Sequence, residues 1–144
     1  GSDIRIRISG RIEDFPESIA NLMRKAMAAT ETNTGMVVNF ALSYGGRDEI
    51  LRAAKRIAAD TRGNAGPLAA ITEDTFSDHL YTAGLPDVDL LIRTGGERRL
   101  SGFLPWQSVY AELYFSDVLW PDFDERELDK ALADFSERKR NFGA

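Results

Sequence analysis

Between Val88 and Gly96 the chain reads V-D-L-L-I-R-T-G-G, an apolar run that empties directly into two glycines, and no other stretch restricts the fold as much. Apart from Asp89, Val88 to Ile92 has no polar residue, which is the pattern of a strand buried on both faces of a parallel sheet. Ligands of such sheets bind beyond the carboxyl ends of the strands, and Arg93 stands at that end. Gly95 and Gly96 can take positive φ, while Arg93, Arg98 and Arg99 each offer a planar guanidinium that can grip two phosphate oxygens. Thr94 and Ser101 add hydroxyl donors. The segment therefore reads as an anion pocket. The plainer reading is a surface loop whose arginines pair with Glu97 and nearby acids, because short glycine-rich motifs are not specific.

The rest of the chain alternates strand and helix. Ile4, Ile6 and Ile8 alternate with Arg5 and Arg7 until Gly10, a period-two strand with one polar face. Arg5, Arg7 and Arg11 read as a solvated face, or one covered by acidic helix residues. Asp14 or Phe15 is expected to start a helix with Pro16 in its first turn and Ile19, Leu22, Met23, Ala26 and Met27 on its apolar face. Met36 to Leu42 predicts a mostly buried strand. Tyr44 to Gly46 turns into a helix over Arg47 to Asp60, with Ile50, Leu51, Ala54 and Ile57 inward. Thr61 to Pro67 reads as a loop, and Thr72 to Tyr81 as a short helix capped by Thr72 or Asp74. Trp106 to Leu113 is expected to be helical, Tyr114 and Phe115 extended, and Trp120 to Phe123 an aromatic turn. Asp124 should cap a last helix with Leu128, Ala131, Leu132 and Phe135 on one face. The predicted class is α/β, a parallel sheet flanked by helices, forming one domain over residues 3–144. Gly1 and Ser2 read as the remnant of an expression tag.

Composition bounds the function. The chain has 144 residues, 43% hydrophobic and 28% charged, which suits one folded domain with its own core. It contains no cysteine, no signal-peptide pattern and no run of about 18 apolar residues, so a cytoplasmic location is expected. A net charge of −5 argues against nucleic-acid partners, whose affinity rests on a positive surface. The arginine loop is a local exception.

Read on to Phe123, the segment I-R-T-G-G-E-R-R-L-S-G-F-L-P-W-Q-S-V-Y-A-E-L-Y-F-S-D-V-L-W-P-D-F resembles the C-terminal signature of the cis-prenyltransferases, the family of undecaprenyl diphosphate synthase. T-G-M-V-V-N-F-A-L-S-Y-G-G-R-D-E-I at Thr34 to Ile50 is similar to the family's N-Y-G-G-R segment, and R-K-R-N-F-G at Arg138 to Gly143 to its C-terminal element. The resemblance implies an undecaprenyl diphosphate synthase-like fold and an isoprenyl transferase, which condenses isopentenyl diphosphate with an allylic diphosphate into a polyprenyl diphosphate. Arg93, Arg99, Leu100 and Ser101 match positions that hold the diphosphate of isopentenyl diphosphate, and Glu112 matches an acid that helps bind Mg²⁺. Mg²⁺ takes one or two carboxylates and fills its remaining sites with phosphate oxygen and water, so Glu112 alone is a weak site. A homodimer is implied, as is peripheral membrane contact through the lipid product.

The family's D-G-N-G-R-W phosphate loop and F-S-x-E-N-W motif are not in this sequence. The chain is therefore expected to lack a catalytic residue of its own, to supply the acceptor half of a site, and to be inactive alone. The alternative is a non-catalytic partner subunit or scaffold, and a weaker third reading is a phosphate or nucleotide sensor using Y-G-G-R and R-T-G-G-E. Gly102 stands where the family has asparagine, Pro105 replaces a leucine, Arg11 follows Gly10 where aspartate is common, and Asn141 replaces the arginine of R-x-G. Glu112 has the simpler option of pairing with an arginine. The aromatics Trp106, Tyr110, Tyr114, Phe115, Trp120 and Phe123 suit a core or dimer interface better than a prenyl groove. His79 reads as a surface or half-buried helix residue.

Overall fold

The computed structural model describes residues 3–62 and 71–138. The tag-like Gly1 and Ser2, most of the expected Thr61–Pro67 loop, and Asn141 with its C-terminal element lie outside the described residues. Contacts group the chain into two units, Gly1–Leu85 and Pro86–Ala144, and each has parallel strand pairing with a helix packed against it.

In the first unit β1 (Ile4–Ser9) pairs in parallel with β2 (Met36–Ala41), Ile4 opposite Met36 and Ser9 opposite Ala41. The connection between them is α1 (Glu17–Ala29), which packs on β1. The outer edge of β1 is closed by side chains that follow α1: Thr30 Oγ1 accepts the Ile6 amide at 3.0 Å, and Asn33 Nδ2 donates to the Ile4 carbonyl at 2.7 Å. Backbone groups at a strand edge that would otherwise invite pairing are thus satisfied within the unit. Gly10 ends β1 at φ +125°, where a Cβ would overlap the Leu42 carbonyl.

Several expectations change here. The helix begins at Glu17 with Pro16 in the N-cap position, and Asp14 instead closes a 3-10 turn over Ile12–Asp14. Asp14 is recruited by Arg11 Nε at 3.1 Å and by the Ser43 hydroxyl, which hold it outside the helix. Ile19 and Leu22 are exposed, and α1 buries Ala20. Strand β2 is less buried than its composition suggests, since Met36, Val37 and Phe40 are exposed. Among the described residues β2 has a neighbour on one edge only.

The helix α2 (Gly46–Arg62) shows the largest departure. Its inner line is Glu49, Ala53 and Ile57, at i, i+4, i+8 spacing, while Leu51 and Ala54 face solvent. Glu49 is fully buried because its carboxylate is satisfied: Oε2 accepts the Tyr44 hydroxyl at 2.5 Å and Oε1 the Tyr81 amide at 2.7 Å. The next helix, α3 (Glu73–Ser77), is capped by a reciprocal Thr72–Thr75 box and gives way to turns before Tyr81.

In the second unit β3 (Leu90–Arg93) pairs in parallel with β4 (Glu112–Phe115), Arg93 opposite Phe115. Leu91 is buried. The expected helix over Trp106–Leu113 does not form: Leu104 takes φ +45° before Pro105, the chain turns through Leu104–Ser108 and Ser108–Ala111, and the Asp89 carbonyl then captures the Glu112 amide at 3.0 Å. Ladder bonds to β3 replace the helical ones. Trp120 and Phe123 stack at 6.4 Å around a 3-10 turn. Asp124 then caps α4 (Glu125–Glu137) by accepting the Arg126 and Glu127 amides, and Ala131 is the fully buried residue on α4's contact face with β4.

Candidate functional site

The loop that follows β3 is shaped by its backbone before any side chain acts. Gly95 and Gly96 adopt φ +86° and +76°, and their amides donate to Val118 and Ser116 carbonyls at 2.8 and 2.9 Å. Positive φ, not lack of space, demands glycine here, since the nearest atom to an added Cβ would be 3.5 Å away. The two amides are consumed by the chain, so an anion at this loop depends on side chains. For R-T-G-G-E, then, an anion loop of the kind the sensor reading invokes would have to work through its side chains.

Those side chains converge at the carboxyl end of β3. Arg93 Nη1 donates to Ser101 Oγ at 2.8 Å and to the Arg99 carbonyl, and Arg99 Nε donates to the same Ser101 oxygen at 3.2 Å. One hydroxyl therefore joins both guanidiniums. Ser101 stands at φ +50°, with Gly102 beyond it at φ +79°, and a non-glycine residue held in the left-handed region marks a conformation that its surroundings over-determine. Leu100 accepts the Phe103 amide through its carbonyl at 2.9 Å, closing the turn that carries Ser101. Arg98 is exposed and makes no hydrogen bond or ion pair among the described residues.

The plainer reading of the loop also has a counterpart, because Arg99 Nη1 is ion-paired with Glu97. Both partners are well exposed, and such a pair is screened and easily exchanged for a stronger anion.

Glu112 is placed differently. It pairs with Leu90, three positions before the Arg93–Phe115 pair, which is roughly 10 Å along the strands from the arginine end. Its Oε2 accepts from Arg138 Nη1 at 2.9 Å, and Arg138 also binds Asp134 at 2.5 Å. Glu112 first, then Asp134, holds the Arg138 guanidinium above its ordinary value. Among the described residues no group of three or more His, Cys, Asp or Glu is assembled for a metal. The carboxylate that the sequence resemblance assigns to Mg²⁺ is thus engaged by Arg138 in the structure.

Elsewhere, His79 lies in the turn after α3 instead of in a helix. Its Nδ1 faces the Thr75 carbonyl at 2.7 Å and its Nε2 faces Asp60 at 3.1 Å, a partner nineteen residues away that inspection of neighbours in sequence misses. Arg7, expected on a solvated strand face, is half-buried. It donates to the Ala83 and Tyr81 carbonyls at 2.9 and 3.4 Å. Tyr81 is edge-on to Tyr44 at 6.3 Å, and the Arg52 guanidinium lies 4.0 Å over its ring.

Parallel strands flanked by helices, with an arginine–hydroxyl cluster at the carboxyl end of β3, define an α/β protein. A family model described as putative undecaprenyl diphosphate synthase matches residues 1–143, and the chain belongs to that family. It is 48% identical over 141 residues to an isoprenyl transferase of Halalkalibacterium halodurans, covering 98% of this chain and 55% of that protein. It is 46% identical over 142 residues to the (2E,6E)-farnesyl-diphosphate-specific ditrans,polycis-undecaprenyl-diphosphate synthase of Haemophilus influenzae, covering 99% and 59%. Among solved structures, lavandulyl diphosphate synthase from Lavandula x intermedia, in complex with dimethylallyl diphosphate, superposes with a TM-score of 0.95 at 40% identity, covering 99% of this chain and 61% of that one. A probable undecaprenyl diphosphate synthase from Campylobacter jejuni gives 0.81 at 34%, covering 99% and 64%. The chain thus spans a little over half the length of these curated relatives. Among the described residues no helix is long and apolar enough to cross a membrane.

Proposed function

We propose that the chain is the acceptor-binding part of a cis-prenyltransferase, which condenses isopentenyl diphosphate with an allylic diphosphate to make a polyprenyl diphosphate of the undecaprenyl type. The observation that carries this reading is the convergence of Arg93 and Arg99 on Ser101 Oγ. A diphosphate entering there would take over the hydrogen bonds that the guanidiniums now spend on Ser101, the Arg99 carbonyl and Glu97. Charge-assisted, bidentate contacts are the stronger ones, so the exchange favours the ligand. Ser101, bridged by both arginines, would add a hydroxyl donor, and Leu100 would set the turn. The chain's task is positioning: it fixes the acceptor diphosphate by one end so that its reactive carbon reaches the allylic partner in one orientation.

Mg²⁺, when bound, would neutralise diphosphate charge and assist departure of the allylic leaving group. Glu112 would serve as one carboxylate ligand once Arg138 releases it. No residue of this chain is assigned a chemical step of its own. The exposed Val109, Tyr110, Leu119, Trp120, Leu128 and Leu132 of the second unit support a homodimer. Cytoplasmic placement with membrane contact through the lipid product fits the same reading, and no nucleic-acid partner is involved.

Calorimetric titration with isopentenyl diphosphate tests it. Saturable binding that weakens with salt, and by roughly tenfold to a hundredfold on removing the Arg99 side chain, is expected, and absence of binding would overturn the assignment. A second reading, a non-catalytic partner subunit, is favoured by the Glu112–Arg138 pair, which occupies the carboxylate that the resemblance assigns to the metal. Isopentenyl diphosphate binding with no effect of Mg²⁺ in any assembly would select it.

A further inference from the structure

A second cluster of arginines lies in the first unit, away from the β3 loop in sequence. Arg5 and Arg7, two apart on β1, project to one face, and Arg24, Met27, Ala28 and Glu31 of α1 and the turn after it face them across an open depression of about 550 Å³ that Ala83 also lines. Three guanidiniums and one carboxylate line this space. Arg7 is held in place by the Ala83 and Tyr81 carbonyls, which use two of its five N–H donors and leave three. Arg24 is steadied by Glu17 and Asn21 at 3.1 and 3.0 Å. The side chains of Arg5 and Glu31 make no hydrogen bond or ion pair among the described residues, although the Glu31 amide donates to the Ala28 carbonyl at 3.4 Å. Burial first, and then the like charge of Arg5, lowers the affinity of Arg7 for its proton. Two cations are thus kept side by side at an electrostatic cost that an anion between them would relieve.

We propose that this depression is a second oxyanion site, which takes a phosphate group on Arg5 and Arg7 with Arg24 on its wall. The lining charge, three positive against one negative, matches a dianionic phosphate. Met27 and Ala28 give the wall an apolar side, so the phosphate can be free or carried on a short ester.

The test is an amide NMR titration of the 144-residue chain with inorganic phosphate and, separately, phenyl phosphate at low ionic strength. Saturable shifts at Ile6, Ala28 and Ala83 are expected, with binding about tenfold weaker in Arg5→Gln. Arg5 holds no other group in place, so this variant keeps the fold, which its unchanged amide spectrum elsewhere would verify. Tighter binding of phenyl phosphate supports an ester ligand, and equal affinity supports the free ion. Shifts confined to Arg93–Ser101, or wild-type affinity in Arg5→Gln, would overturn the proposal without touching the acceptor site.

Discussion

Arg93 and Ser101, eight residues apart, meet at 2.8 Å, and the serine oxygen that receives Arg93 also receives Arg99. This separates Arg99 from its neighbour Arg98, which lies in the same run of sequence but has no such bond. Arg99→Ala is expected to remove a charge-assisted contact worth about 1.5 to 3 kcal/mol, weakening isopentenyl diphosphate binding roughly tenfold to a hundredfold. Arg98→Ala should change it by only a few tenths of a kcal/mol, or about twofold at most. Arg99→Lys keeps the charge, loses the fork, and should fall between. Equal effects at positions 98 and 99 would mean a diffuse positive patch.

The buried carboxylate of Glu49 predicts a stability effect with no ligand involved. Glu49→Ala removes the carboxylate that the Tyr81 amide and the Tyr44 hydroxyl donate to and is expected to cost about 2 to 4 kcal/mol. Glu49→Gln retains one acceptor oxygen and should cost less. Urea midpoints of the two variants check this, and an alanine variant as stable as the glutamine one would refute it.

Two glycines with similar-looking roles should behave oppositely. Gly10→Ala places a Cβ against the Leu42 carbonyl at φ +125° and should destabilise by roughly 2 kcal/mol or more. Gly102 has nothing within 4 Å of a Cβ, and its φ of +79° lies where asparagine is tolerated, so Gly102→Asn should stay within about 1 kcal/mol of wild type. Thermal unfolding of both variants is sufficient.

His79 introduces a pH dependence. The Thr75 carbonyl first, then Asp60, raises its affinity for a proton above the ordinary value near 6.5, because the imidazolium donates from both nitrogens. A raised folded-state value stabilises the protein fully below about pH 6.5 and ceases to do so as pH climbs through the folded value. The stability advantage of wild type over His79→Gln should therefore be larger at pH 5.5 than at pH 8.5. The histidine is solvent-accessible, so the difference should be small and reduced by salt. A proton NMR titration of the ring gives the shift directly.

What was legible in the sequence depended on local rules. Alternation of isoleucine with arginine specified β1, Asp124 specified the start of α4, and the Gly95–Gly96 pair specified a turn needing positive φ, because each is decided within a few residues. The long match from Ile92 to Phe123 specified the family. Tertiary structure alone decided the rest. Leu51 was expected inward on hydrophobicity, yet Glu49 takes the buried line of α2, since Tyr81 and Tyr44, 32 and 5 residues away, supply the donors that make a buried carboxylate tolerable. Residues 106–111 have a helical pattern but turn, because the strand bonds that Glu112 to Phe115 make with β3 satisfy more backbone groups than one isolated short helix. Arg7 left the solvent for two carbonyls, His79 found Asp60, and Glu112 found Arg138. Each is a pairing between groups distant in the chain, whose energy depends on a distance that no run of neighbouring residues encodes.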